Sequence, residues 1–85
     1  MMEVNDWDAA LESLTRAYDN GRRKTKGRAA HNLAVIHEIL GQNEKALEWA
    51  QTAWGRHKNR KSREYAEILR HRINEVALIK AQENQ

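Results

Sequence analysis

The sequence predicts an all-α protein, and three observations predict it. Apolar residues recur at three- and four-residue spacing in four separate stretches, which is the pattern of one helix face. The chain of 85 residues holds no proline and only four glycines, too little punctuation for a turn-rich β fold. The chain also resembles itself at an interval of 36 residues, a period typical of stacked helical units.

The first helix is expected from about Asp6 to Asp19, with Trp7, Ala10, Leu11, Leu14, Ala17 and Tyr18 on one face. Asn5 or Asp6 can cap its start, and Gly21 lies just past its end. The second is expected from about Lys26 to Leu40, with Ala30, Leu33, Ala34, Ile36, His37 and Leu40 inward and Gly41 as the stop. Gln42 and Asn43 then leave room only for a tight turn. The third helix, about Glu44 to His57, must therefore run antiparallel to the second. Its inward face is Ala46, Leu47, Ala50, Ala53 and Trp54. The fourth starts near Ser62, a candidate N-cap, and runs to about Ala81 with Tyr65, Ile68, Leu69, Arg72, Ile73, Val76 and Ile79 or Lys80 in its stripe.

Composition limits what such a fold can be. Leu, Ile and Val together number 15 and phenylalanine is absent, so the core is thin, with twelve alanines setting a close helix spacing. Without cysteine there are no disulfides and no thiolate ligands or nucleophiles. No apolar run is long enough to span a bilayer. The acidic start, Met1 to Asp8, does not read as a secretory signal. The compartment is left open by the sequence: cytoplasmic by default, cell envelope if the chain was cut from an exported parent.

The internal repeat pairs Ala10 with Ala46, Leu11 with Leu47, Glu12 with Glu48, and Ala17 with Ala53. Asn32-Leu33-Ala34, then Gly41, Ala46, Ala50 and Ala53, resembles the tetratricopeptide repeat. In that motif a small residue follows leucine in the first helix and small residues seven apart line the second. His37, Lys58 or Asn59, and Ala30 depart from it, standing where the family commonly has tyrosine, proline and a bulky aromatic. The resemblance implies one domain over residues 1–85: a complete repeat at about 28–60, a half repeat at 6–20 before it, and a capping helix at 62–81 after it. The implied architecture is a right-handed superhelix of about four helices in antiparallel hairpins. A half repeat lacks its partner, so self-association as a homodimer, or origin as a fragment of a larger protein, is expected.

The leading functional expectation is a protein–protein interaction module or scaffold. By the resemblance, Arg28, His31, Asn32, Val35, Glu38 and Ile39 line a groove for a protein or peptide partner, Asn32 matching a position that holds peptide backbone in members binding peptide carboxylates. The alternative is a binder of nucleic acid or another anionic surface. Its edge is Arg22, Arg23, Lys24, Lys26 and Arg28 with Arg56, Lys58, Arg60, Lys61 and Arg63, two acid-free clusters on the inter-repeat connections. Those clusters can equally offset helix C-terminal dipoles, and no aromatic interleaves them in sequence. Trp49 and Trp54, five apart, cannot face one core together, and one is expected either in an interface or flat under a basic loop.

Catalysis, metals and cofactors are not expected. Ser13 and Ser62 sit in no nucleophile elbow. His31 and His37 lack the spacing that places two ligands on one helix face, and His57 and His71 lie among cations. The Gly21 to Gly27 stretch lacks the lysine and hydroxyl of a phosphate-binding loop.

Overall fold

The structure, a computed structural model, describes residues 4–83. Four helices follow one another: α1 (Val4–Asn20), α2 (Arg23–Ile39), α3 (Asn43–Gly55) and α4 (Arg60–Glu83). No strand occurs among the described residues. Each helix packs on the next, and the α2–α3 pairing is the most extensive. Connections of two, three and four residues reverse the chain each time.

The cross-contacts fix direction. Tyr18 near the end of α1 meets His57 just beyond α3. Along α2, His31 and then Glu38 meet Ser62, Tyr65 and then Arg72 of α4, so α2 and α4 run parallel side by side.

The core is built from small residues. Ala30, Ala34, Ala46, Ala50 and Ala53 are fully buried, and Leu33 and Leu69 are the two large apolar side chains buried as deeply. Ala34, Ala46, Ala50, Ala66 and Leu69 form one cluster, with Leu47, Trp49 and Tyr65 leaning on it. The interval of 36 reaches this core: Ala30 and Leu33 of α2 recur as Ala66 and Leu69 of α4, all four buried. It breaks one residue later, where exposed Arg70 of α4 takes the place of buried Ala34. A guanidinium there blocks the close helix approach that Ala34 permits.

Two turns explain the helix ends. After α2, Gly41 takes a φ of +80°. Its N–H donates to the Glu38 carbonyl and that of Gln42 to the His37 carbonyl, the paired bonds of a glycine-terminated helix. The His37 ring adds a 2.6 Å bond to the Gln42 side chain. After α3, Lys58 adopts a φ of 57° with no glycine to relieve it, and its N–H donates to the Trp54 carbonyl.

Several expectations need correction. Ser62 does not cap α4: Asn59 Oδ1 accepts the Ser62 N–H at 3.2 Å, which makes Asn59 the cap and Ser62 a fully buried residue of the first turn. α2 begins at Arg23, three residues earlier than expected, and α3 ends at Gly55. Asn5 and Asp6 lie inside α1, which already includes Val4, so neither stands just before it as a cap. Leu40, Ile68, Val76 and Ile79, expected inward, are exposed. The buried line of α4 is instead Ser62, Ala66 and Leu69, because α3 is only 13 residues long and cannot cover a helix of 24. At about 1.5 Å per residue, the second half of α4 projects past α3, and the longest dimension of the protein reaches 48 Å.

Candidate functional site

The reversals bring the end of α1, the start of α2, the end of α3 and the start of α4 to one end of the molecule. Both basic clusters therefore meet there. They are not loop clusters, however. Arg22, Arg56 and Lys58 lie in connections, whereas Arg23, Lys24, Lys26 and Arg28 belong to the opening turns of α2, and Arg60, Lys61 and Arg63 to the opening of α4. Neither first turn contains an acid. Dipole compensation accounts for part of this: Lys26 Nζ points at the last-turn carbonyl of Asp19 on α1. It does not account for Arg60 and Lys61, which stand at the wrong end of their own helix for it.

The basic end has two sides. On the α1–α3 side the Tyr18 hydroxyl and His57 Nε2 share a hydrogen bond of 3.0 Å, and Lys26 Nζ lies 4.7 Å from the Tyr18 ring centre. Tyr18 also meets the edge of Trp49 with ring centres 5.1 Å apart. The two tryptophans thus part as their spacing requires. Trp49 joins the α1–α3 contact, and Trp54 carries the Arg63 guanidinium at 5.3 Å and Lys58 Nζ at 5.9 Å. An aromatic ring does interleave the basic residues in space, where the linear sequence places it several residues upstream of them.

On the α2–α4 side a cleft of about 410 Å³ is lined by Arg28, His31, Asn32, Asn59, Arg60 and Lys61. It joins two expected groups, because Arg28, His31 and Asn32 come from the groove and Arg60 and Lys61 from the edge. Its floor is a relay of hydrogen bonds. Ser62 Oγ donates to Asn59 Oδ1 at 3.1 Å, so the 2.7 Å contact with His31 Nδ1 has the imidazole donating. Both Ser62 bonds fall on Asn59 Oδ1, which leaves the Asn59 amide N–H groups without a role in the relay.

Further along the groove the residues divide. Glu38 is engaged: its Oε1 accepts the Tyr65 hydroxyl at 2.6 Å and its Oε2 pairs with Arg72. This latch ties α4 to α2 over one turn beyond the His31–Tyr65 ring contact. Val35 is half-buried, while Asn32 and Ile39 are exposed. On α4, Ile68 shares a shallow depression with Arg72 and is 52% exposed. Asn59, Tyr65 and Arg72 escaped the sequence reading. Asn59 had a recognisable signal, an Asx three residues before a helical serine, but Tyr65 and Arg72 were assigned to the core stripe.

Two imidazoles at this end resist protonation. Burial first, then Lys61, lowers the pKa of His31; burial, then Lys26, Arg56 and Arg23, lowers that of His57. Burial raises the Tyr65 phenol. With both histidines depressed, the unfolded chain binds protons that the folded chain refuses once pH falls below about 6.5. Stability is present above that value and is lost as pH drops toward the folded pKa values. The melting temperature is expected to be lower at about pH 5 than at pH 7, and the loss to shrink in His57→Gln. An acid-side loss of the same size in His57→Gln and His31→Gln would remove the histidines as its cause.

A larger cleft, about 530 Å³, lies at the opposite end between the α2–α3 turn and the projecting part of α4. Ile73, Val76 and Ala77 form one wall, and the charged residues around it are one acid, Glu44, and two lysines, Lys45 and Lys80. It offers apolar surface without concentrated charge. Among the described residues no cluster of His, Cys, Asp or Glu can hold a metal ion, and no helix is long and apolar enough to cross a membrane.

No curated protein and no solved structure matches the chain. Residues 1–77 match the family described as a domain of unknown function, DUF6340, and the chain belongs to that family.

Proposed function

We propose that this protein is an interaction module of the tetratricopeptide type, which holds an acidic, partly apolar segment of a partner protein along the α2–α4 face. The helices would form a short right-handed superhelical array with that face concave. The observation that carries the proposal is the continuity of one surface. The cationic cleft of Arg28, Arg60 and Lys61 opens beside Asn32, and Val35, Ile39 and Ile68 offer apolar contact farther along the same two helices. The span from Asn32 to Ile39 is seven residues, about 10 Å, enough for a few side chains of a bound segment. Cations supply steering and orientation, and the apolar row supplies burial. No covalent chemistry is involved.

Selection of displayed random peptides on the protein tests this. The expected winners carry acids at one end and spaced apolar residues after them. They should shift amide resonances of α2 and α4 and weaken about tenfold or more in the Ile39→Asp, Ile68→Asp double variant. Winners that map to α1, or that ignore both substitutions, would overturn the proposal.

A second reading, binding of nucleic acid, is favoured by one observation, the Trp54 ring set among Lys58 and Arg63. Bases stack on such rings and phosphates follow such cations. It differs in salt response: affinity for a single strand falls steeply with salt, while the groove-bound peptide depends on it far less.

A further inference from the structure

We propose that the α2–α4 cleft is a site for a phosphate monoester, so that the segment held in the groove is anchored by a phosphorylated side chain. This rests on the groove reading above and adds the chemistry of its anchor.

Charge decides between anions. Three full cations, Arg28, Arg60 and Lys61, line the cleft, and no carboxylate is among its lining residues. Between Asn20 and His37, and between Trp49 and Arg63, the sequence contains no acid at all. Arg28 and the pair Arg60 and Lys61 come from different helices, so the cations converge from two sides. One carboxylate would neutralise one of the three. A phosphate monoester brings close to two negative charges and three terminal oxygens, each able to accept from a guanidinium or ammonium. A nucleic-acid diester brings a single charge per phosphate and lets neighbouring phosphates spread along the edge, outside a bounded cleft.

The neutral donors agree. The Asn59 carbonyl oxygen is occupied by the Ser62 N–H and hydroxyl, so what Asn59 offers a ligand is its amide N–H₂. Asn32 is exposed in the same lining. His31 completes it. Its Nδ1 is committed to Ser62, and the groups facing its ring are Ser62, Tyr65 and the Lys61 charge. A dianion in the cleft would offset Lys61 and favour the imidazolium, so ligand binding and the His31 titration are linked.

The test uses the whole chain at pH 7.5 in moderate salt, with phenyl phosphate, benzoate, inorganic phosphate and a single-stranded oligonucleotide as probes. Two peptides join them, one with phosphoserine followed by leucines one and two helical turns later, the other with serine instead. Phenyl phosphate is expected to bind about tenfold tighter than benzoate and to raise the His31 pKa in an NMR titration. Arg28→Gln and Arg60→Gln should each weaken it about tenfold, with Arg16→Gln on α1 as the unaffected control. These arginines are exposed, so unchanged melting temperatures will show that the variants fold. The phosphopeptide is expected to bind tighter than both inorganic phosphate and the serine peptide. Equal binding of benzoate and phenyl phosphate, or a His31 pKa that does not move, overturns the phosphate site. An oligonucleotide that binds more tightly than the phosphopeptide and is insensitive to Arg28→Gln and Arg60→Gln overturns it as well. If phenyl phosphate binds as expected but the phosphopeptide gains nothing over inorganic phosphate, the partner-borne source is overturned. The groove reading fails separately, through the Ile39→Asp, Ile68→Asp variant, whose effect on the serine peptide does not depend on phosphate.

Discussion

Leu69→Ala is expected to destabilise the protein by about 3 kcal/mol, read as a drop in the urea midpoint followed by circular dichroism. Leu69 is fully buried in the cluster that joins α2, α3 and α4. Its buried neighbours there are Ala34, Ala46, Ala50 and Ala66. Alanines have no side-chain length with which to swing into a vacated space, so the cavity stays open and the cost falls well inside the range for leucine truncation. A domain of this size has a total stability of only about 4–12 kcal/mol, so the loss removes a large share of it. Leu78, 64% exposed on the projecting part of α4, is the comparison, and Leu78→Ala should change stability by less than about 0.5 kcal/mol. A Leu69→Ala cost as small as that of Leu78→Ala would mean the cluster is not the core.

Ala50→Leu should have an effect of similar size through the opposite fault. Ala50 is fully buried on α3, the helix packed against both α2 and α4. Three added carbons must enter a cluster in which Ala50 is already fully enclosed, so the packed helices are pushed apart. Overpacking of this kind costs about 1–3 kcal/mol. Gln51→Leu, one position on and exposed, places the same leucine on the solvent side of the helix and should be nearly neutral. If Ala50→Leu melts with the parent protein, the close spacing of the helices is not set by alanine.

Helix number, order and approximate extent were legible because α1 to α3 carry their inward residues at helical spacing and Gly41 marks a true stop. The alanines of α3 were legible for the same reason. α4 was not. Its apolar residues repeat over the whole helix, but antiparallel α3 starts only at Asn43 and leaves the second half of α4 uncovered, so periodicity alone mistook Val76 and Ile79 for core, and Ile68 turns to solvent beside buried Leu69. The start of α2 was missed because Arg23, Lys24 and Thr25 carry no apolar signal. Of the site, the cations were visible as clusters. Their convergence with Asn32 and His31 was not, since it depends on α2 and α4 lying side by side. Tyr65 and Arg72 were visible only as members of a stripe; that they latch Glu38 is a property of the packed helices.

Because each helix touches chiefly the next one in the chain, most native contacts join residues that are near in sequence. Closing such contacts requires only short loops, so the entropy spent before packing begins to repay it is small. The protein belongs with the fast-folding helical class, which reaches its native state in microseconds to milliseconds. The natural place to begin is the α2–α3 hairpin, where pairing is most extensive and the linking turn is set by Gly41. α1 and α4 can then add to it from either side in either order, so a substitution in α1 should mainly speed unfolding, while one in the hairpin should slow folding itself.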